Sequence, residues 1–270
     1  MRSLLTIAGT DPSGGAGIPV DLQVFRDFGY HGLSVVTAVV AQNTTGVRSF
    51  ESVDGTHVAD QIDAVFDDIP VGAVKIGMLA TADVVKSVAA PLSGIDEAIP
   101  VVYDPVLASG GGDARLERAG MVEALGDGLL ERVDWLTPNI PEAEALLGVC
   151  IGEPADMERA AAQLLDLGPS AILLKAGHLA DDRADLSDLL ALDGEGDEPR
   201  VRWLTPLERV PDDVRGTGCQ LSSALAAALA DGDVGEAAAE RARRYLNDLL
   251  HHHRRTIGHG RPVIVRASLE

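Results

Sequence analysis

The segment Arg215-Gly216-Thr217-Gly218-Cys219 concentrates more chemical potential than any other in this chain. Its two glycines let backbone N–H groups turn toward an anion. The run Leu221-Ser222-Ser223-Ala224-Leu225-Ala226-Ala227-Ala228-Leu229 behind them is a strong helix former whose N-terminus aims the same way. That geometry suits a phosphate. Cys219 falls in the first helical turn, where the dipole favours a thiolate and a reactive role. The same position equally suits a buried small side chain, the usual fate of a free cysteine.

Other segments pair strand ends with polar groups. Gly9-Thr10-Asp11-Pro12-Ser13-Gly14-Gly15-Ala16-Gly17-Ile18 is a glycine-rich strand-to-helix turn. It matches neither the P-loop nor the dinucleotide fingerprint, so by itself it implies close approach of a ligand or of backbone. Asp21 follows one turn later and either faces that ligand or complements the helix dipole, the commoner case. Gln42, in Gln42-Asn43-Thr44 after the apolar run Val35 to Ala41, carries an amide that both donates and accepts. It suits reading a heterocycle's ring nitrogen and amino group, or it is an ordinary turn amide. In Asn139-Ile140-Pro141-Glu142, Thr137 or Asn139 could cap the helix with Glu142 closing a capping box. Alternatively Glu142 holds Mg²⁺ through water, and Asp104 before Pro105 is a similar candidate. Lys175 ends an apolar strand ahead of Ala176-Gly177-His178, where a retained lysine suits a phosphate contact or a solvated strand end.

These motifs need a scaffold, and the chain alternates short apolar runs with amphipathic stretches throughout. The spacing predicts buried strands at 3–8, 72–76, 99–103, 133–136 and 171–175. It predicts helices at 16–28, 56–67, 81–90, 114–125, 140–147, 155–167, 217–230 and 235–254. This is the pattern of a largely parallel sheet with helices on both faces, whose ligand sits beyond the carboxyl ends of the strands. Two runs, 188–192 and 201–204, flank the acidic turn Asp193-Gly194-Glu195-Gly196-Asp197 and predict an antiparallel hairpin extending the sheet edge. His251-His252-His253 spreads around a helix rather than converging on a metal.

Composition narrows the partners. With 270 residues and 46% hydrophobic content the chain can bury a full core, and no linker divides it. The charge of −20 argues against nucleic acid. No stretch reads as a membrane span or secretory signal, so a soluble cytoplasmic protein is expected. Cys150 and Cys219 lie far apart, outside any metal-ligand spacing. Only Lys75, Lys86 and Lys175 stand beside 19 arginines. Such an acidic, lysine-poor surface fits solubility in concentrated salt, and equally a genome that favours Arg and Asp codons.

The motifs together resemble the hydroxymethylpyrimidine/phosphomethylpyrimidine kinases of the ribokinase-like superfamily. The resemblance rests on Ala8 to Ile18 with Asp21, Gln42-Asn43-Thr44-Thr45-Gly46-Val47, Lys75-Ile76-Gly77-Met78-Leu79, Asp104-Pro105-Val106, Thr137 to Glu144, Lys175-Ala176-Gly177-His178 and Gly216-Thr217-Gly218-Cys219, in that order along almost the whole chain. It implies an α/β fold in which a central, mostly parallel sheet of about nine or ten strands is flanked by helices, forming one kinase domain over 1–270 and a homodimer. It also implies ATP and Mg²⁺ as cofactors in phosphorylating 4-amino-5-hydroxymethyl-2-methylpyrimidine and its monophosphate, in thiamine biosynthesis. By that carry-over Gly9, Asp21, Gln42, Met78 and Val106 line the pyrimidine pocket. Glu142 and Asp104 serve the metal, while Lys175, Asn139 and Arg215 serve ATP. Gly216, Thr217 and Gly218 form the anion hole, with Cys219 where sugar kinases carry an aspartate base. The chain departs from the pattern at Gln220 (usually Thr), at Val214-Arg215-Gly216 (usually Thr-His-Gly), at Val40 (usually Thr) and in the tail Gly258 to Val263. Pyridoxal kinase is the nearest alternative, and a non-catalytic pyrimidine sensor is the alternative from another class.

Overall fold

The computed structural model describes residues 2–107, 120–177, 187–194, 198–208, 210 and 213–266. The first part of the helix expected at 114–125, His178 and residues 195–197 of the acidic turn lie outside them. Nine strands form one sheet: β1 (Ser3–Gly9), β2 (His31–Asn43), β3 (Gly46–Ser52), β4 (Val71–Ile76), β5 (Val101–Tyr103), β6 (Trp135–Leu136), β7 (Ala171–Leu174), β8 (Leu189–Leu192) and β9 (Arg200–Trp203). Their order is β3-β2-β1-β4-β5-β6-β7-β8-β9. The run from β2 to β7 is parallel, while β3 at one edge and β8 and β9 at the other are antiparallel. The predicted edge hairpin is therefore present. A separate antiparallel ribbon joins β10 (Arg254–Arg255) to β11 (Val263–Ile264).

Helices cover both faces: α1 (Gly17–Asp27), α2 (Gly55–Phe66), α3 (Ala82–Leu92), α4 (Met121–Leu125), α5 (Ile140–Leu147), α6 (Pro154–Leu165), α7 (Thr217–Ala230) and α8 (Gly235–His252). Neighbouring strand residues point to opposite faces, so each strand feeds two cores. Leu5, Val74, Tyr103 and Leu136 pack with α2 to α6. Leu4, Ala73, Val102 and Trp135 pack with α1, α7 and α8. Nearly continuous apolar strands such as Leu4-Leu5-Thr6-Ile7-Ala8 follow from this two-sided burial. The alanines of α7 follow from its place between sheet and outer helices, where Ala224, Ala226, Ala227 and Ala228 are fully buried.

Two expectations shift. Gln42-Asn43-Thr44 is not a strand end followed by a loop, because the strand runs on to Asn43 and turns through Thr44-Thr45 into β3. The strands expected at 99–103 and 133–136 shorten to β5 and β6.

Candidate active site

From β1 the chain moves outward to β2 and β3, then returns to the other side of β1 as β4. Such a reversal opens a crevice at the carboxyl ends of the strands. Gly9 ends β1 and Asp11 follows it, Gly77 and Met78 follow β4, Asp104 follows β5, Asn139 follows β6 and Lys175 follows β7.

Two helices begin at this crevice without a side-chain cap. Ala16 precedes α1 and Gly216 precedes α7, and neither N-terminus has a capping hydrogen bond from a side chain. The first-turn N–H groups of a helix lack intrahelical partners and carry its partial positive charge, so an uncapped pair favours an anion. The two termini abut closely. Gly216 has φ 75°, and a Cβ there would lie 2.1 Å from the Gly15 carbonyl oxygen. A Cβ on Gly218 would lie 3.0 Å from Asp104 Oδ2 and 3.5 Å from Lys175 Nζ. The absent side chains are what bring the α7 terminus against both neighbours.

Lys175 Nζ donates to Asp104 Oδ1 at 2.9 Å and lies 3.8 Å from Glu142 Oε2. Thr137 Oγ1 donates to the same Asp104 oxygen at 3.3 Å. Asn139 caps α5 by accepting the Glu142 N–H at 2.9 Å, and Glu142 closes the capping box by accepting the Asn139 N–H at 2.8 Å. Glu142 is thus both a capping-box acid and a neighbour of the lysine, while the Asn139 side-chain oxygen Oδ1 is committed to the cap. Burial raises the Glu142 carboxyl to about 7 against the pull of Lys175, and the Asp104 charge adds to the rise. Burial works against the Lys175 charge, but Asp104 and Glu142 outweigh it and leave its ammonium harder to deprotonate than usual.

A second lysine lies sealed nearby. Lys75 Nζ donates to both Asp21 oxygens, at 3.0 and 2.9 Å, and both side chains are fully buried. Thr6 and Ser223 also donate to Asp21, at 2.6 and 2.8 Å. The Asp21 carboxylate therefore neither faces an open pocket nor merely complements the α1 dipole; it holds Lys75. Sequence reading found Lys75 only as part of a motif. The signal was a charge inside the apolar run Val74-Lys75-Ile76, which demands a buried partner.

Cys219 sits in the first turn of α7, half-buried, as expected. The expected thiolate is not favoured. Burial pushes the thiol up to about 11, the Asp21 and Asp104 charges push the same way, and Lys75 and the Gly17 N–H pull back without overcoming them. Desolvation and two carboxylates outweigh one helix dipole. Cys150 is exposed.

On the β2 side, Ala38, Val40, Met78 and Ala80 form a small apolar cluster with Val47, Phe50 and Val106 packed against it. A Cβ on Gly9 would lie 3.1 Å from Met78 Sδ and 3.5 Å from Val40 Cγ2, so Gly9, Met78 and Val106 share one neighbourhood. Gln42 rises beside it at the end of β2. Arg215 does not turn to Lys175; it donates from Nη2 to Gln42 Oε1 at 2.9 Å and lies 3.6 Å from Asp11 Oδ2. Gln220 is buried and bonded to Arg266, which also holds Gln23 and Tyr245, so its side chain faces α1 and α8 rather than a phosphate path. The tail closes over the β2–β3 turn: Gly260 N donates to Thr44 Oγ1 and Arg261 N to the Thr44 carbonyl.

Among the described residues no cluster of three His, Cys, Asp or Glu side chains is placed to hold a metal ion, and no helix is long and apolar enough to cross a membrane. Asp104 and Glu142 do offer two hard oxygen ligands on one lysine, a donor set that suits Mg²⁺ bound largely through water.

The phosphomethylpyrimidine kinase family model matches residues 11–264. The hydroxymethylpyrimidine/phosphomethylpyrimidine kinase of Streptomyces coelicolor is 41% identical over 92% of this chain and 88% of its own length. The thiamine biosynthesis bifunctional protein ThiED of Geobacter sulfurreducens is 43% identical over 90% of this chain, which spans only 48% of that protein. Among solved structures, the phosphomethylpyrimidine kinase of Clostridium difficile aligns over 92% of this chain and 99% of its own, with 36% identity and a TM-score of 0.75. The pyridoxal kinase of Bacillus subtilis, solved as an ADP complex, aligns over 98% and 96%, with 27% identity and a TM-score of 0.80. Motif order, strand topology and these likenesses agree, and the chain belongs to the phosphomethylpyrimidine kinase family.

Proposed function

We propose that this chain, acting as one kinase domain and as a homodimer in the cytoplasm, transfers the γ-phosphoryl group of ATP to 4-amino-5-hydroxymethyl-2-methylpyrimidine and then to its monophosphate. The observation that carries this reading is the meeting of the uncapped α1 and α7 termini beside Lys175 and Asp104, with the apolar cluster around Gly9 and Met78 and the Gln42 amide nearby. A phosphoryl transfer calls for positioned N–H groups and cations rather than covalent chemistry from the protein. Gly216, Thr217 and Gly218 supply the first. Lys175, whose charge is held by two carboxylates, supplies the second. Asp104 and Glu142 would hold Mg²⁺ through water, and the ion would neutralise charge on the phosphates.

The two substrates differ in what they ask of Cys219. A hydroxymethyl group must lose its proton when its oxygen attacks phosphorus, whereas a phosphate monoester is already mostly ionised at neutral pH. Burial holds the Cys219 thiol neutral and the Lys75 charge opposes it, so the thiol is a weak base whose help the hydroxymethyl group needs more than the phosphate does. Cys219→Ala should therefore slow the first phosphorylation more than the second, and equal losses would refute that role.

The test of the function is a coupled ATPase assay with Mg²⁺ at low and high KCl, offering the pyrimidine, its monophosphate and pyridoxal. Turnover on both pyrimidines with pyridoxal poor is the expected result. Turnover on pyridoxal alone would make this a pyridoxal kinase, and none in any salt would leave a pyrimidine-binding sensor.

A further inference from the structure

Arg215 is a buried charged side chain at the crevice that the phosphoryl-transfer chemistry does not use. Its side chain is 5% exposed, and behind it stands Asp11, whose side chain is fully buried. Asp11 is itself fixed, because its Oδ1 accepts the Ser13 N–H at 2.8 Å and the Ser13 hydroxyl at 2.7 Å. Its Oδ2 has no hydrogen bond among the described residues and faces the guanidinium at 3.6 Å. In front, Arg215 Nη2 donates to Gln42 Oε1 at 2.9 Å.

The backbones are tied as firmly as the side chains. Arg215 N donates to the Pro262 carbonyl at 2.9 Å, and the same tail segment clamps Thr44 through Gly260 and Arg261. The strand end that carries Gln42 and the turn that carries Arg215 are thus strapped together by residues 260–262.

A guanidinium only donates. The end of the Gln42 amide that meets it must be the oxygen, so the flip of this amide is dictated by chemistry rather than left open. We propose that Arg215 is a positioning residue that locks the Gln42 amide with its oxygen turned inward and its NH₂ turned to the ligand, and that this lock selects rings presenting an acceptor nitrogen. The inference rests on the pyrimidine-kinase reading and sharpens it. Arg215 occupies one lone pair of the Gln42 oxygen and fixes the NH₂ as the end offered to the ring. That NH₂ would donate to the ring nitrogen beside the amino-bearing carbon. The inference also moves Arg215 from the ATP phosphates to the pyrimidine end of the site.

The experiment is a double-mutant cycle of Arg215→Ala and Gln42→Ala with steady-state kinetics on two acceptors: the hydroxymethylpyrimidine and its analogue with C–H in place of that ring nitrogen. Each single variant should raise KM for the pyrimidine about tenfold and lower the preference over the analogue by a similar factor, with KM for ATP unmoved. In the Gln42→Ala background, Arg215→Ala should add no further loss of preference. Gln42→Glu, which keeps an oxygen for Arg215 but cannot donate to the ligand, should lose the preference while folding normally. This guards against a fold defect in Arg215→Ala. Additive losses, a raised KM for ATP, or a preference that survives Gln42→Glu would overturn the inference. A wild-type enzyme that turns over neither pyrimidine would instead overturn the reading of function beneath it.

Discussion

Replacing Glu142 by glutamine should raise stability above neutral pH and lower activity, because the carboxylate lies where burial opposes its charge. Its ordinary value of 4.5 rises to about 7. Lys175 does not cancel the burial, since its ammonium sits 2.9 Å from Asp104 and only 3.8 Å from Glu142. The folded protein therefore holds the Glu142 proton more tightly than the unfolded chain does. The associated stabilisation is complete below about pH 4.5 and is lost as pH rises through about 7. A displacement of that size corresponds to at most roughly 3 kcal/mol, and partial sharing of Lys175 reduces it. Glutamine keeps an oxygen for the Asn139 N–H and leaves Lys175 paired with Asp104, so the cap and the lysine both survive the change.

The assay is thermal and urea unfolding of the ligand-free wild type and E142Q from pH 5 to 8.5. The two should converge near pH 5 and separate steadily through pH 7, with the variant higher by at most roughly 6–12 °C for a chain of this size. In parallel, E142Q should need more Mg²⁺ and turn over about ten- to a hundredfold more slowly, since one of two carboxylates on the metal side is gone. A stability difference that is flat across pH, or a variant less stable at pH 8, would refute the electrostatic argument. Unimpaired kinase activity would refute the metal-side role.

Lys75→Met should destabilise the protein by about 3–5 kcal/mol, because it strands the fully buried Asp21 charge; adding Asp21→Asn should recover most of the loss in urea unfolding, and a single variant as stable as wild type would contradict the pairing. Iodoacetamide at pH 7.5 should modify exposed Cys150 well before Cys219, with the Cys219 rate climbing as pH approaches about 11; the reverse order by mass spectrometry would mean that the thiol is not held neutral. Gly216→Ala should cost about 1–3 kcal/mol and abolish phosphoryl transfer, since the alanine would need φ near 75° with its Cβ 2.1 Å from the Gly15 oxygen; normal nucleotide affinity and stability would show that the α1 and α7 termini need not touch.

The central strands were legible because burial on both faces leaves a nearly continuous apolar run, as in Leu4-Leu5-Thr6-Ile7-Ala8, where only Thr6 is polar. β3 was not, because Gly46–Ser52 is a partly exposed edge strand of mixed polarity, and its turn through Thr44-Thr45 lacks the Asn-Gly or Asp-Gly signature of a tight hairpin. The glycine turn before α7 and the capping box at Asn139 and Glu142 are local patterns, and local sequence carries them. The partners of Asp21, Arg215 and Gln220 are not local. Asp21 is joined to Lys75 and Ser223 across 54 and 202 residues, and Arg215 to Gln42 across 173. Neighbouring residues in the sequence suggest a dipole for Asp21 and a phosphate for Arg215 and Gln220; only the fold brings in the charges that claim them.

The lysines show how composition and site chemistry separate. In a chain with 19 arginines, Lys86 is an exposed surface residue, 4.0 Å from Asp127, where either cation would serve. The other two are interior, and each stands in a space bounded by carboxylates and glycine. A Cβ on Gly77 would come within 2.9 Å of Lys75 Nζ, and one on Gly218 within 3.5 Å of Lys175 Nζ. A compact ammonium fits such a space, whereas a planar guanidinium does not. Their surroundings then divide the work. Lys75 is sealed against both oxygens of one aspartate and can only impose a fixed field on Cys219. Lys175 keeps 17% of its side chain exposed and holds one carboxylate closely and another loosely, so an arriving phosphate can take the place of the looser partner without stranding the charge. A bias toward arginine that reaches the surface but stops at these two positions is what a site with one static and one exchangeable cation requires.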